Sequence, residues 1–262
     1  MGRPKTSEEI EMMRLAGRVV AEALAAMAAA IVPGTTTTLD LDEVAAEVLR
    51  KHGAKSAFMG YQPSFSDVPY KHNTCLSVND EIVHGVPAKN RVLQAGEIIS
   101  LDMGASVDGW FADAAVTVPV GEISSAAKNL LLVTREALYK GIAQARPGNT
   151  IGDIGAAIQK HVERSRYSVV RDLVGHGIGN TVHEEPQVPN YGRPGRGERL
   201  RAGMTICIEP MVNIGSREAI HRAGDEWTIF TGDRSLSAHF EHTVAITEDG
   251  PDILTLPASE GK

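Results

Sequence analysis

Two carboxylates in residues 98–119 have the types and the spacing of metal ligands. Apolar residues flank Asp108 and Gly109, a dipeptide typical of a two-residue hairpin turn. With that turn, Asp102 and Asp113 lie on the same face of the hairpin as diagonal neighbours. Two carboxylates so close repel each other unless a cation or a proton lies between them, and neither strand contains a basic residue. We therefore predict a metal site here; the alternative is a solvated hairpin face with two ordinary acids.

Two further carboxylates lie in strand-like runs of the second half of the chain. Glu209 ends the run MTICIE, on the face opposite its isoleucines, and Glu241 shares a face with His239 and Thr243 in HFEHTV. Glutamate is disfavoured within strands, so each of the two needs a reason to be there. Both are candidate ligands; the alternative is an edge strand with a solvated face.

The glycine-rich run VGHGIG offers an imidazole, His176. Glycines on both sides remove steric bulk and let the backbone approach closely, which suits a ligand on a tight turn, although an isolated GHG is usually only a turn. The run does not fit the dinucleotide-binding fingerprint, and His183-Glu184-Glu185 lacks the second histidine of a zinc-protease helix. Four carboxylates and one imidazole suffice for two divalent ions that share bridging carboxylates. Two such ions generate a hydroxide nucleophile and polarise a carbonyl.

Helices and strands that would position these residues follow one plan in each half. In the first half, Thr6 and Glu9 form a capping box that opens a helix. The predicted elements are a helix to about Ile31, a helix from Leu39 to His52, a loop from Phe58 to Asn73, and strands at Thr74–Val78, Ile82–His84 and Glu97–Val107 with the return strand of the hairpin.

The second half repeats this plan. Its predicted elements are helices at Ser124–Ala145 and Ile151–Arg164 and strands at Met204–Glu209, Glu226–Phe230 and Ala238–Thr247. Thr37 and Thr150 begin similar segments, which indicates a weak duplication with a period of about 113 residues. We predict an α+β fold in one catalytic domain, residues 1–262, with pseudo-repeats at about 7–120 and 124–250. Their sheets would pack side by side with helices over one face, and both halves would line a central cleft.

Composition narrows the function classes. The 262 residues carry a net charge of −7 and no long basic run, which argues against nucleic-acid recognition. Two distant cysteines match no zinc-ribbon spacing, so we expect a reduced cytoplasmic chain. The first residues lack the layout of a signal peptide, and Arg18 and Glu22 interrupt the Ala-rich segment, which predicts an amphipathic helix and no membrane span.

The ordered residues and their flanking motifs resemble the type I methionine aminopeptidases. The motifs are LDMGASVDGWFAD, GHGIG, HEEPQVPNYG, ICIEPM and DRSLSAHFEHT, and the similarity extends from the first helix to about Thr247. The resemblance implies the pita-bread fold, in which two pseudo-symmetric halves line a central cleft with an antiparallel sheet and carry helices outside. It also implies removal of the initiator methionine from nascent polypeptides when the second residue is small. The implied cofactor is a pair of divalent ions, for which Co, Mn, Fe and Zn all tolerate the donor set.

Each predicted ligand has an implied role in this resemblance. Asp102 would bind one metal, His176 and Glu209 the other, and Asp113 and Glu241 would bridge the two. Glu209 would also act as the general base, with a pKa set by the metals, which favour its charged form.

The resemblance assigns two more histidines to the substrate. His183 would donate to the scissile carbonyl oxygen, and His84 would face the substrate amine and amide; without the flanking motifs both would be interpreted as structural. The remaining histidines are interpreted as structural or solvent-facing: His52, His72, His161, His221, His239 and His242.

The pocket for the methionine side chain must accept an unbranched thioether, so apolar and soft groups are expected. Cys75 and Trp227 match pocket positions of the family, and Tyr70 is assigned with them. If the resemblance is set aside, a buried cysteine and a strand tryptophan are interpreted as ordinary core residues. Val182 departs from the pattern, because many members carry an aromatic residue there.

Subtype and partners follow from the same comparison of motifs. The sequence shows no Cys/His-rich amino-terminal extension, and the spacing from His183 to Glu209 leaves no room for a helical insertion. Both features fit a compact bacterial-type monomer that acts on the N-terminal methionine of nascent peptides and associates with ribosomes transiently. Relatives of this type hold a monovalent cation near residues matching Asn79 and Ser237.

Two alternatives remain. An X-Pro-cleaving relative shares the five-ligand pattern. Such enzymes usually carry an extra amino-terminal domain and lack the sequence motif around Cys75. A non-catalytic binding protein of the same fold would have lost ligands and gained basic surface, whereas this chain keeps all five and is acidic.

Overall fold

The computed structural model describes residues 3–63, 68–222 and 224–257. Residues 64–67 of the predicted loop and both ends of the predicted domain, residues 1–2 and 258–262, lie outside the described residues.

Helix boundaries follow capping signals in the sequence. Thr6 caps the first helix, and the side chains of Thr6 and Glu9 bond reciprocally to backbone N–H groups, as the capping box predicts. Gly53 ends the second helix in the left-handed region, at φ 62°. The described residues form four helices: α1 (Ser7–Ala29), α2 (Thr38–His52), α3 (Ser125–Ile142) and α4 (Ile151–Arg164). No helix among the described residues combines the length and apolar character needed to cross a bilayer.

Fifteen strands, many of them short, occupy much of the rest of residues 3–63, 68–222 and 224–257. They are β1 (Lys55–Ser56), β2 (Cys75–Val78), β3 (Glu81–Val83), β4 (Ile98–Val107), β5 (Trp110–Pro119), β6 (Ser168–Val169), β7 (Gly175–Gly177), β8 (Glu184–Val188), β9 (Thr205–Ile208), β10 (Met211–Asn213), β11 (Ala219–His221), β12 (Ile229–Thr231), β13 (Ser237–His239), β14 (Glu241–Thr247) and β15 (Gly250–Ile253).

The main sheet has nine strands and contains strands from both halves of the chain. Its order is β1-β4-β5-β14-β9-β7-β8, with β2 paired to β4 and β15 to β14, and every pairing is antiparallel. The halves meet where β5 pairs with β14, with Glu241 opposite Ala115. Two three-stranded sheets, β13-β10-β6 and β11-β12-β3, complete the structure. The predicted α+β class is confirmed; the division into two pseudo-repeats within one domain stays a prediction.

The β4–β5 hairpin has the register that its turn predicts. Asp108 and Gly109 have φ angles of 49° and 81°, the positive values that a type I′ turn requires. Gly104 is opposite Asp113, and Asp102 is opposite Ala115.

Two predicted strands differ in the structure. The run predicted as one strand at Ala238–Thr247 is broken at Phe240 into β13 and β14, which belong to different sheets. The run predicted at Glu226–Phe230 begins later, at Ile229. The reason is a turn: the Asp225 carboxylate accepts hydrogen bonds from the backbone N–H groups of Trp227 and Thr228.

The GHG run is a strand, and its prediction as a tight turn was wrong. Gly175–Gly177 forms β7 between β8 and β9, with an irregularity of register after His176. Small residues are required because the strands pack closely here: a Cβ on Gly175 would lie 2.3 Å from the carbonyl oxygen of Cys207, and one on Gly177 2.3 Å from that of Glu185.

Apolar faces of the helices cover the main sheet. Helices α1 and α2 pack on strands of the first half in one buried cluster, which includes Val20, Leu41 and Leu101. Helices α3 and α4 pack on the second half in another, which includes Leu130 and Ile206. Burial of such side chains contributes about 1.5–3 kcal/mol each, so the sheet is a stable base for the polar residues on its other face.

Candidate metal centre

Three acids form a row across neighbouring strands of the main sheet. Asp102 on β4 is opposite Ala115 on β5, which is in turn opposite Glu241 on β14. Asp113 lies diagonally from Asp102, as the hairpin predicts, and one oxygen from each of the three acids lies within 4.8 Å of the others. All three are buried, with 8% of Asp102, 3% of Asp113 and 3% of Glu241 exposed.

The second half adds Glu209 and His176 from neighbouring strands. Glu209 follows the last residue of β9, and the Nε2 atom of His176 on β7 lies 3.6 Å from its Oε1 atom. The Nδ1 atom of His176 is 2.9 Å from the carbonyl oxygen of Gly177. Because a carbonyl only accepts, the proton of the neutral ring is on Nδ1, and the lone pair on Nε2 is directed towards the acids.

Burial dominates the electrostatics of this cluster. It raises the pKa of Asp113 to about 8, with help from the charge of Glu209, and it raises the pKa of Glu209 to about 8. Burial followed by the neighbouring carboxylates also places the pKa values of Asp102 and Glu241 well above their usual range. For His176, burial lowers the pKa to about 3, so the ring is neutral and able to bind a cation.

The donor set fits divalent cations. Asp113 Oδ1 and Glu241 Oε1 are buried and have no hydrogen-bond partner among the residues described. Four hard carboxylates with an imidazole match the preferences of ions such as Mn, Co, Fe and Zn. A bound cation would favour the ionised carboxylates and offset the cost of burying them together.

A cleft with a volume of about 580 Å³ contains the cluster. The cleft is lined by all of the residues predicted to act in catalysis, substrate binding or divalent-metal binding: Tyr70, Cys75, His84, Asp102, Asp113, His176, His183, Glu209, Trp227 and Glu241. The structure therefore brings all of them to one place, although their chemical roles stay predictions.

The two histidines assigned to substrate lie beside the acids. The ring of His183 packs edge-on against that of His176, with centroids 4.3 Å apart, and contacts Tyr61 at 5.1 Å. His84 has a positive φ of 60°, and its buried Nδ1 atom lacks a hydrogen-bond partner within the described parts of the chain. Burial lowers the pKa of His84 to about 4 and also lowers that of His183, so both rings are neutral near pH 7.

Cys75, Tyr70 and Trp227 form a compact wall of the cleft. Cys75 on β2 is buried directly opposite Asp102. The ring of Tyr70 packs edge-on against Trp227, with centroids 4.9 Å apart, and its hydroxyl donates to the carbonyl oxygen of Thr74. The wall therefore offers one thiol and two aromatic rings next to the acids.

The predicted monovalent-cation residues are adjacent. The backbone N–H of Ser237 donates to the carbonyl oxygen of Asn79 at 2.9 Å, and the Asn79 side chain accepts from the N–H of Ile98.

Sequence reasoning missed three residues of the site. His239, interpreted as structural or solvent-facing, is buried with its Nε2 atom 3.6 Å from Glu209. The alternation His-Phe-Glu was a signal, because it places His239 and Glu241 on one face. The Cys207 thiol lies within 4.8 Å of donor atoms of His176 and Glu241. The ring of Tyr61 lies against that of His183, which follows the buried Val182 in the chain.

Comparisons with known proteins agree with this geometry. The profile of metallopeptidase family M24 matches residues 11–248. Methionine aminopeptidase of Clostridium acetobutylicum is 48% identical over 252 residues, which cover 96% of this chain and 98% of the relative. The crystal structure of methionine aminopeptidase from Thermotoga maritima superposes with a TM-score of 0.93 at 48% identity, over 97% of this chain and 99% of that chain.

A more distant neighbour shares the fold. Prolidase from Pyrococcus furiosus has a TM-score of 0.75 at 23% identity, and the match covers 97% of this chain but 65% of that one. These matches confirm the pita-bread fold and the resemblance found in the motifs. The chain belongs to metallopeptidase family M24.

Proposed function

We propose that the chain is a methionine aminopeptidase that removes the N-terminal methionine from polypeptides whose second residue is small. The main observation behind this proposal is that four acids and His176 lie together in one cleft, next to the wall formed by Cys75, Tyr70 and Trp227. Identity of 48% with curated methionine aminopeptidases over nearly the full chain supports it.

Two divalent ions would be held by the predicted ligands. Asp102 would hold one ion, His176 and Glu209 would hold the other, and Asp113 and Glu241 would be shared by both. When bound, such ions supply a water of lowered pKa as the nucleophile and a Lewis acid for the scissile carbonyl.

Glu209 acts as the general base in this proposal. It accepts the proton of the attacking water and returns it to the departing amine. Its position at the end of β9, next to two imidazoles, supports that role, because the carboxylate is held at the cation site and still faces the cleft.

His183 and His84 orient the substrate. As a neutral ring, His183 donates a hydrogen bond to the carbonyl oxygen as negative charge develops there. His84, also neutral, faces the amine and amide of the methionine. The lowered pKa values of the two rings support these roles, because a neutral imidazole has both a donor and an acceptor nitrogen.

Cys75, Tyr70 and Trp227 recognise the methionine side chain. An unbranched thioether makes favourable contacts with aromatic rings, and a small soft thiol leaves room for its terminal methyl group. Burial of Cys75 opposite Asp102 supports an arrangement in which a bound side chain lies next to the reacting carbonyl.

The proposal extends to cofactors, partners and place of action. The cations are Co, Mn, Fe or Zn, with a monovalent cation near Asn79 and Ser237. The enzyme is a monomer that acts in the cytoplasm on nascent peptides and associates with ribosomes transiently.

Peptide hydrolysis tests this function. The metal-free chain is titrated anaerobically with Mn²⁺, Co²⁺, Fe²⁺ and Zn²⁺ while methionine release from Met-Gly-Met is followed. Glu209→Gln should reduce kcat by about 10²–10⁴-fold with the far-UV circular dichroism unchanged. Glu248→Gln, an exposed residue in a turn, is the matched control and should retain full activity. Full activity of Glu209→Gln would overturn the mechanism.

The X-Pro alternative is tested in the same assay. Faster cleavage of Gly-Pro peptides than of Met-Gly-Met would favour it, although the prolidase similarity supports the fold alone. No metal-dependent hydrolysis of either substrate would favour the non-catalytic alternative.

A further inference from the structure

His239 is held firmly at the edge of the acid cluster. Its backbone N–H donates to the Thr117 hydroxyl on β5 at 2.9 Å, and that hydroxyl donates to the carbonyl oxygen of His239 at 2.8 Å. Only 2% of the residue is exposed. The hydrogen bonds therefore fix the backbone at His239, and burial restricts the movement of its ring.

The ring nitrogens of His239 are unsatisfied. Both are buried, and neither has a hydrogen-bond partner in the described part of the chain. Leaving a buried donor or acceptor without a partner costs about 1–3 kcal/mol, so a structural histidine normally has one. An imidazole buried at this cost needs a ligand.

The direction of the ring indicates which ligand it would take. The Nε2 atom lies 3.6 Å from Glu209 Oε2 and 4.0 Å from Glu241 Oε2, between the two carboxylates and outside hydrogen-bond distance of both. One donor atom from each of the three residues lies within 4.8 Å of the others. Bonds of about 2.1 Å to one cation, at angles of about 90–110°, separate N and O ligands by about 3.0–3.4 Å. Small side-chain rotations therefore place all three donors around one ion.

We infer that His239 is a further metal ligand, which binds through Nε2 the cation held by Glu209 and Glu241. This inference rests on the proposed metal centre and adds a second imidazole to it. His176 approaches Oε1 of Glu209 and His239 approaches Oε2, so an imidazole flanks each oxygen of the proposed general base.

A second nitrogen donor changes which cations the site prefers. Imidazole suits Fe and Zn, oxygen ligands suit Mn and Mg, and Co²⁺ generally binds a given site more tightly than Mn²⁺. The site with His239 therefore binds Co²⁺ more tightly relative to Mn²⁺ than the same site without it.

Paramagnetic proton NMR of the full chain counts the imidazoles directly. With two equivalents of Co²⁺, each imidazole bonded to the metal gives a strongly contact-shifted, solvent-exchangeable N–H signal. We expect two such signals in the wild type and one in His239→Gln. The matched control is His242→Gln, which removes a ring whose Nδ1 atom is 2.8 Å from the hydroxyl of Thr255, and it should retain both signals.

The number of contact-shifted N–H signals decides whether His239 binds the metal. A single contact-shifted signal in the wild type, with Co²⁺ bound, overturns the role of His239 and leaves the proposed metal centre intact. A chain that binds no Co²⁺ overturns both. The wild-type spectrum decides the question even if His239→Gln does not fold.

Calorimetric titration gives an independent measurement. His239→Gln should weaken Co²⁺ binding at least tenfold and Mn²⁺ binding by a smaller factor. Equal weakening of both metals, or unchanged Co²⁺ affinity, contradicts a nitrogen ligand at this position.

Discussion

Raising the pH from 6.5 to 8 should destabilise the metal-free chain. Asp113 and Glu209 have ordinary pKa values of 3.8 and 4.5, which burial raises to about 8 in the folded chain. Between these values the folded state binds more protons than the unfolded state, so the free energy of unfolding falls as pH rises. The stability that these protons contribute is complete below the unfolded pKa and is lost as pH rises through about 8.

The size of the effect follows from these two acids. Each loses between one and two kcal/mol from pH 6.5 to 8, which is about 3 kcal/mol for the pair. The raised pKa values of Asp102 and Glu241 lower the free energy of unfolding further in the same direction. Buried histidines with lowered pKa values act in the opposite direction, because at their ordinary pKa of 6.5 they are half protonated in the unfolded chain and they lose that proton by pH 8. Each histidine returns about 0.4 kcal/mol over this window, so together they offset only part of the loss from the acids. These histidines are His84, His176, His183, His239 and His242.

Urea unfolding of EDTA-treated protein at pH 6.5, 7.0, 7.5 and 8.0 measures the effect. With excess Mn²⁺ the stability should not fall in the same series, because the bound cation keeps the carboxylates ionised when folded and only the opposing effect of the histidines remains. Asp113→Asn should reduce the loss in the metal-free series by between one and two kcal/mol, the share of this acid. Metal-free stability that is constant or rises from pH 6.5 to 8 would show that these acids are already ionised, and the reasoning would fail.

Three substitutions test the packing and hydrogen bonds that position the site residues. Gly177→Ala should lower the free energy of unfolding by roughly 1–3 kcal/mol and kcat/KM at least tenfold. The reason is that the added Cβ would lie 2.3 Å from the carbonyl oxygen of Glu185 and displace β7. Urea unfolding measures the first effect and peptide hydrolysis the second. Lys5→Ala should lower the free energy of unfolding by roughly 1–3 kcal/mol and should also lower kcat/KM. The buried Lys5 ammonium donates to the Glu184 carboxylate at 2.6 Å. That carboxylate also accepts from the backbone N–H of Asn180, in the turn before His183. Asp42→Ala should cost roughly 2–4 kcal/mol in urea unfolding, because its buried carboxylate accepts four hydrogen bonds from the segment that leads into β2.

Control substitutions separate these losses of stability and activity from the effect of removing any ion pair or side chain. Lys51→Ala removes an exposed ion pair of the same length, 2.6 Å to Glu22, and should change stability by less than about 1 kcal/mol. If Lys5→Ala were equally mild, its pairing would not stabilise the turn. A Gly177→Ala chain with normal stability and activity would mean that β7 shifts without disturbing His176. An Asp42→Ala chain within about 1 kcal/mol of the wild type would contradict its bonding role.

Local features of the site could be predicted from the sequence because neighbouring residues determine them. The Asp108-Gly109 turn and the two-residue period of a strand sufficed to place Asp102 and Asp113 on one face. The capping box of α1 and the end of α2 at Gly53 follow in the same way from contacts within one turn of helix.

The meeting of the two halves was decided by tertiary structure. Pairing of β5 with β14 brings together residues more than 120 positions apart, and no local pattern specifies which strand edges meet. The same packing makes β7 a strand, since Gly175 and Gly177 allow backbones to approach on both sides. It also breaks the predicted strand at Phe240.

By itself the sequence determined which side chains are available to bind cations and which strand face carries each one, because alternation along a chain is a local property. Only the tertiary structure decided that these faces share one cleft, and that a histidine interpreted as structural, His239, points between two of the acids. The physical reason is that burial of apolar surface selects the strand order, and the strand order sets the distances between donor atoms.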